Sequence, residues 1–123
     1  MTKEQKQDFT RRITQANRSG LVLIKYEMLF VYIEDIQKAF QKKDQRELTN
    51  YVHYADAILK SFQETLDFQY ELAGQLFALY DFHRRQLAKV LVRHSLKELE
   101  ESTKMLQQMY QAFAASAKQD TSQ

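Results

Sequence analysis

The stretch Leu79-Tyr80-Asp81-Phe82-His83-Arg84-Arg85-Gln86-Leu87 decides the reading of this chain. Around it, Leu72, Leu76, Leu79, His83, Leu87 and Val90 recur at alternating steps of four and three. A second line, Ala73, Phe77, Tyr80, Arg84, Leu87 and Leu91, lies beside the first on one helical wheel. Together they form an apolar face too broad for a helix resting on water, so neighbouring helices must cover it. Leu76 and Leu79 are expected to be buried. Ala78 and Phe82 fall outside the face, and Asp81 and Arg85 point away from it.

Working outward, composition agrees with a helical chain. The 123 residues contain no proline and two glycines, so sheet and turn punctuation is almost absent. Residues with high helix propensity dominate. With 18 basic and 16 acidic residues interspersed, there is no electrostatic footprint for nucleic acid or an anionic membrane. The absence of cysteine excludes disulfides, thiolate metal sites and thiol catalysis, and suits a reducing compartment. Residues 1–18 lack the apolar core of a signal peptide. The longest apolar run, residues 21–33, is broken by Lys25 and Glu27 and is too short to span a bilayer. A soluble, cytoplasmic protein with no membrane insertion is expected.

Upstream of the deciding stretch, residues 1–18 form a polar arm whose apolar landmarks are Phe9, Ile13 and Ala16, spaced for one side of a short helix. Such a segment is marginal alone, and it is expected to dock weakly on the body. Ser19 is the expected cap of the first long helix, residues 21–40. The first half of that helix, residues 21–31, is apolar in nearly every direction, which marks it as central or as touched by something beyond its own bundle. Asp44 and Glu47 resemble a capping pair, opening a second helix with Leu48, Val52, Ala55, Leu59, Phe62 and Leu66 in a four-three repeat. That repeat continues in phase through Tyr70, Ala73 and Phe77. One helix over residues 44–92 would be a rod of roughly 70 Å, so a turn is placed near Asp67, with Asp67 capping the next helix.

Downstream, Arg93-His94 connect to Ser95-Leu96-Lys97-Glu98, which has the spacing of a capping box. The last helix carries Leu99, Thr103, Leu106, Tyr110 and Phe113, flanked by Met105, Met109 and Ala112. Residues 118–123 are small and polar and are expected to fray. The fold class is all-α: an up-down antiparallel four-helix bundle over residues 19–117, with a short helical N-terminal arm over residues 1–18.

Catalytic chemistry finds little support in these residues. None of His53, His83 or His94 has glutamate three residues earlier, so the Glu-x-x-His di-iron spacing is missing. His83 reads as a hydrogen-bonded core histidine. His94-Ser95-Leu96-Lys97 has the His-x-x-Lys spacing of histidine phosphotransfer domains, but Glu98 stands where that family has glycine, and His94 precedes a cap. No Ser/His/Asp signature or phosphate-cradling glycine loop is present. No enzyme activity, metal or cofactor is expected. What remains is surplus apolar surface suited to an amphipathic partner. The candidate partner-binding residues are Phe9, Ile13, Leu23, Tyr26, Phe30, Phe82, Met105 and Met109.

Several of these segments resemble the flagellar export chaperone family FliS. Leu79-Tyr80-Asp81-Phe82 followed by Arg84-Arg85 and Leu87 looks like the segment in its third long helix. Ser19 followed by Leu21, Leu23, Tyr26 and Glu27 is similar to its start of helix one. Leu59, Leu66-Asp67 and Tyr70-Glu71 are similar to its passage between helices two and three. The likeness runs through roughly residues 5–118 in order. Ser19-Gly20 replaces the family's usual Ser-Pro, and Lys25-Tyr26-Glu27-Met28 its Leu-Tyr-Asp-Gly. The resemblance implies a non-enzymatic cytoplasmic chaperone that binds the disordered C-terminal segment of flagellin. It further implies contact with the flagellar export gate and, in some members, an anti-sigma factor. It also makes Arg84 a motif residue, for which Glu27 is the expected carboxylate partner. A generic bundle adaptor and a histidine phosphotransfer domain are the alternatives.

Overall fold

The computed structural model describes residues 1–121. Among them are five helices and no strand: α1 (Lys3–Gln15), α2 (Arg18–Lys42), α3 (Gln45–Glu64), α4 (Glu71–Arg93) and α5 (Lys97–Thr121). The helices α2 to α5 form a closed ring in which α2 packs on α3 and α5, and α4 packs on the same two. Short connections make each an antiparallel neighbour of the next, and α1 lies outside, against α2. Tyr26, Leu29, Ile33 and Ile36 of α2 meet Leu48, Val52, Ala55, Leu59 and Phe62 of α3 in one core. Tyr80, Leu87 and Val90 of α4 and Leu99 and Leu106 of α5 complete it.

Helix ends follow local chemistry, with some departures from the sequence expectations. Asn17, not Ser19, caps α2: its Oδ1 accepts from Gly20 N at 2.8 Å. Ser19 sits inside the first turn, and a Cβ at Gly20 would lie 3.1 Å from that Asn17 oxygen, so a small residue suits the cap. Asp44 caps α3 by accepting from Glu47 N at 3.1 Å. The break between α3 and α4 falls at residues 65–70, around Asp67, so the long rod does not form. Asp67 nevertheless does not cap α4. Its Oδ1 accepts from Gln69 N at 3.0 Å, a local turn two residues on, and the cap position passes to Tyr70, which makes no side-chain cap bond. Ser95 likewise accepts at short range, from Lys97 N at 3.2 Å, while Glu98 turns to Arg93 at 3.0 Å. The helix α5 runs on to Thr121, so residues 118–121 are helical where fraying was expected; residues 122–123 lie outside those described.

At the opposite end of the bundle, Lys43 and His94 stop α2 and α4 in the left-handed conformation, with φ of 58° and 51°. A non-glycine residue there costs about 1 kcal/mol. The His94 ring lies 4.8 Å from that of Phe40, which holds the turn.

The expectation for Leu76 and Leu79 needs correction, since both are only half-buried. Leu72 is 59% exposed. The physical reason is cover. The antiparallel arrangement sets the N-terminal half of α4 beside the C-terminal end of α5. Continuing the α4-facing line of Ser102, Met105 and Met109 by helical spacing, α5 offers Ala112 and Ser116 there, side chains too short to close over a leucine row.

Candidate partner-binding site

The arm is an ordered helix. Thr2 Oγ1 accepts from Gln5 N at 3.1 Å and Gln5 Oε1 accepts from Thr2 N at 2.8 Å, a reciprocal capping box that the sequence reading did not find. Phe9 is buried and Ile13 is half out in solvent. Arg12 holds Glu27 of α2 and lies 5.4 Å from the Phe9 ring centroid, and the Met1 amino group pairs with Asp35. The arm therefore runs antiparallel to α2. Ile24, Glu27, Met28, Val31 and Asp35 share the outer face of α2 by helical spacing. Phe9 and Ile24 are buried yet stand apart from the main core. This explains the run of residues 21–31 that is apolar all round: one side enters the core, and the arm covers another.

The remaining candidates divide between the two flanks of α5. On the α2 side, Phe30 meets Tyr110 edge-on at 5.8 Å, and Leu23 lines a cleft of about 380 Å³ with Gly20, Ala114 and Ala117. On the α4 side, His83 meets Ser102, which fixes the flank of α5 that turns to α4. Met105 and Met109 continue that flank at three- and four-residue steps, and Leu79 and Phe82 occupy the matching flank of α4. Phe82 and Met109 are half-buried, and Met105 is exposed. Helical spacing thus sets a row of large apolar side chains along this flank.

Tyr26 belongs elsewhere. It is wholly buried, stacked on Phe62 at 4.8 Å, with its hydroxyl 2.9 Å from that of Tyr80. Loss of water is the main cause that drives its hydroxyl pKa far up, with the Tyr80 hydroxyl adding to it. A side chain in that position supports Phe30, Tyr110 and Phe113 from beneath, at ring distances of 6.2, 6.2 and 5.9 Å, and is not on a surface. A 3.6-residue period puts it on the inward side of α2, although the all-apolar sequence around it concealed which side that is.

Arg84 also finds a different partner from Glu27. Its Nε donates to Asp56 Oδ1 at 2.7 Å and its Nη1 to Gln63 Oε1 at 2.9 Å; Gln63 Nε2 donates onward to the Phe77 carbonyl at 3.1 Å. The hydrogen bonds to Asp56 raise the Arg84 pKa. This chain locks α3 to α4 and lines a cleft of about 410 Å³ with Val52, His53, Asp81, Arg85 and Ala88. Glu27 is unavailable because it faces the arm. His83 is fully buried, and burial lowers its pKa to about 4, so it is neutral near pH 7. Its Nε2 and the Gln86 Oε1 have no protein partner. His94, the residue of the phosphotransfer alternative, sits between helices against Phe40 and not midway along one. No group of three or more potential metal ligands occurs among the described residues.

Residues 1–120 match the family described as flagellar protein FliS. The chain belongs to the FliS family. Membership supports a flagellar export chaperone. No curated protein matches the chain. The segments that carried the resemblance, Leu79-Tyr80-Asp81 and Leu66-Asp67, lie on α4 and in the turn before it. There Tyr80, stacked on Phe62 at 5.2 Å, and Arg84, paired with Asp56, hold α4 to α3. Among the described residues, no helix is long and apolar enough to cross a membrane.

Proposed function

We propose that this FliS-family chain binds the disordered C-terminal segment of flagellin in the cytoplasm, prevents its premature polymerisation and delivers it to the export apparatus. The export gate, and an anti-sigma factor, are its further partners in this reading. The observation that carries it is the row of large apolar side chains left half-covered beside α5: Leu79, Phe82, Met105 and Met109 on one flank and Leu23 and Phe30 on the other. An amphipathic segment would fold onto these flanks, and the entropy of ordering it would moderate the affinity. Tyr26 contributes from below, by fixing the rings on the α2 side of α5.

The arm, residues 1–18, acts as a separable unit on the bundle of residues 19–117. Phe9 and Ile13 supply at most a few kcal/mol before ordering entropy is subtracted. The tether offsets part of that loss. Such an arm is held firmly enough to cover the outer face of α2 and weakly enough to leave it to a partner. Deleting residues 1–15 should leave the bundle folded, by circular dichroism, and leave affinity for a flagellin C-terminal peptide equal or improved, by titration calorimetry. Loss of binding on deletion would make the arm part of the site and not a cover that a partner displaces. Absence of peptide binding by the full chain would favour a generic bundle adaptor instead.

A further inference from the structure

The turn between α3 and α4 exposes aromatic side chains that neither the core nor the arm uses. Phe68 is 63% exposed, Tyr70 69% and Phe77 41%, and the Phe68 and Phe77 rings lie 6.0 Å apart. Isolated exposed apolar residues are ordinary, but adjoining large ones mark a contact surface. The segment that carries them is acidic. From Ser61 to His83 the sequence has no lysine or arginine but includes Glu64, Asp67, Glu71 and Asp81, in a chain of net charge +2. Glu64 is within 3.9 Å of Lys60, and Asp81 is paired with Arg85. Asp67 and Glu71 remain, flanking the aromatics in the order Asp67-Phe68-Gln69-Tyr70-Glu71. Both are exposed.

Gly74 adds an independent observation. It lies within α4, where glycine costs about 1 kcal/mol relative to alanine. Its backbone φ is not positive, and a Cβ built on it meets no atom within 4 Å. Nothing inside the chain requires glycine there. It shares a helical face with Phe77 three residues on, and Tyr70 stands at the cap just before its turn. An exposed glycine between two exposed aromatics forms a notch through which another backbone can approach α4 closely.

We propose that the face formed by Phe68, Tyr70, Gly74 and Phe77 docks a basic amphipathic helix of a second protein, separately from the arm-covered face of α2. The helix sets apolar side chains between the aromatics, crosses at Gly74 and carries lysine or arginine opposite Asp67 and Glu71. Charge complementarity selects this occupant. A second copy of the chain, placed by a two-fold axis, would set this acidic segment, which holds no lysine or arginine, against itself. An anionic lipid surface would meet the same repulsion.

The test is a ¹⁵N NMR titration of the full chain with a synthetic Leu/Lys amphipathic helix, beside a matched Leu/Glu peptide. Saturable shifts centred on residues 66–78 with the first peptide and not the second are expected. Glu71→Lys should weaken binding about tenfold or more. Gly74→Ala should weaken it similarly while raising the thermal midpoint, a combination that damage to the fold would not produce. The proposal is overturned if shifts centre on α2 and α5, or if both peptides bind alike. It fails equally if Gly74→Ala leaves affinity unchanged, or if the same amides shift with protein concentration alone, which would make the face a self-contact.

Discussion

The two halves of α4 carry one repeat and are packed differently. From Tyr80 onward, Tyr80, His83, Gln86, Leu87 and Val90 are buried. Before Tyr80 only Ala73 is, while Leu72 is more than half exposed. The difference lies in the neighbours. The second half is faced by Leu99, Ser102 and Leu106 of α5 and by Val52, Ala55 and Leu59 of α3, all buried themselves. The first half is faced by the alanine-rich end of α5 and by an α3 that stops at Glu64. An apolar stripe thus states which side of a helix is available for packing, and the length and size of the opposing elements state whether it is packed.

The largest expected effect tests that contrast directly. Leu87→Ala should cost about 2–5 kcal/mol through lost burial and a cavity. Leu72→Ala should stay within about 0.5 kcal/mol, as at an ordinary surface site. Urea denaturation of both variants would measure this, and similar losses would mean that the first half of α4 is covered after all.

Next comes pH. The folded state holds His83 at a pKa of about 4, below its ordinary 6.5, because burial disfavours the charged ring. Between those values the unfolded chain binds the extra proton, so stability is complete above pH 6.5 and falls as pH drops toward 4. The loss should approach roughly 3 kcal/mol, at about 1.36 kcal/mol per pH unit. Below pH 4 this contribution no longer changes. Denaturation of wild type and His83→Leu across this range should show a shallower slope for the variant; parallel slopes would remove His83 as the cause.

The smallest effect concerns the link between the halves. Arg84 with Asp56 should show a coupling of about 1 kcal/mol in a double-mutant cycle, reduced by partial solvent exposure. Arg84 with Glu27 should be additive. Coupling to Glu27 instead would mean that the arm does not hold that carboxylate.

Much of the fold was legible from spacing. The helical class, the four-three repeat of the α3 core, the break near Asp67 and a short helical arm all follow from local periodicity and turn chemistry. The side of α2 carrying Tyr26 was not legible, because residues 21–31 are apolar in every direction and offer no contrast to read. The Arg84 partner was missed for a different reason: Asp56 and Glu27 are both carboxylates on neighbouring helices, and one-dimensional spacing does not rank them. Asn17 had a competitor two residues away in Ser19, and either side chain can cap.

The sequence alone therefore determined which residues form helices, which side of most helices is apolar and where the chain must turn. These depend on backbone propensity and on contacts three or four residues apart. Tertiary structure alone decided that α1 covers the outer face of α2, that Arg84 takes Asp56, that Tyr26 is an internal support, and that Leu72 and Phe77 stay exposed. Burial and pairing belong to two surfaces at once, and the second surface is set by how helices distant in sequence are rotated, staggered and cut to length.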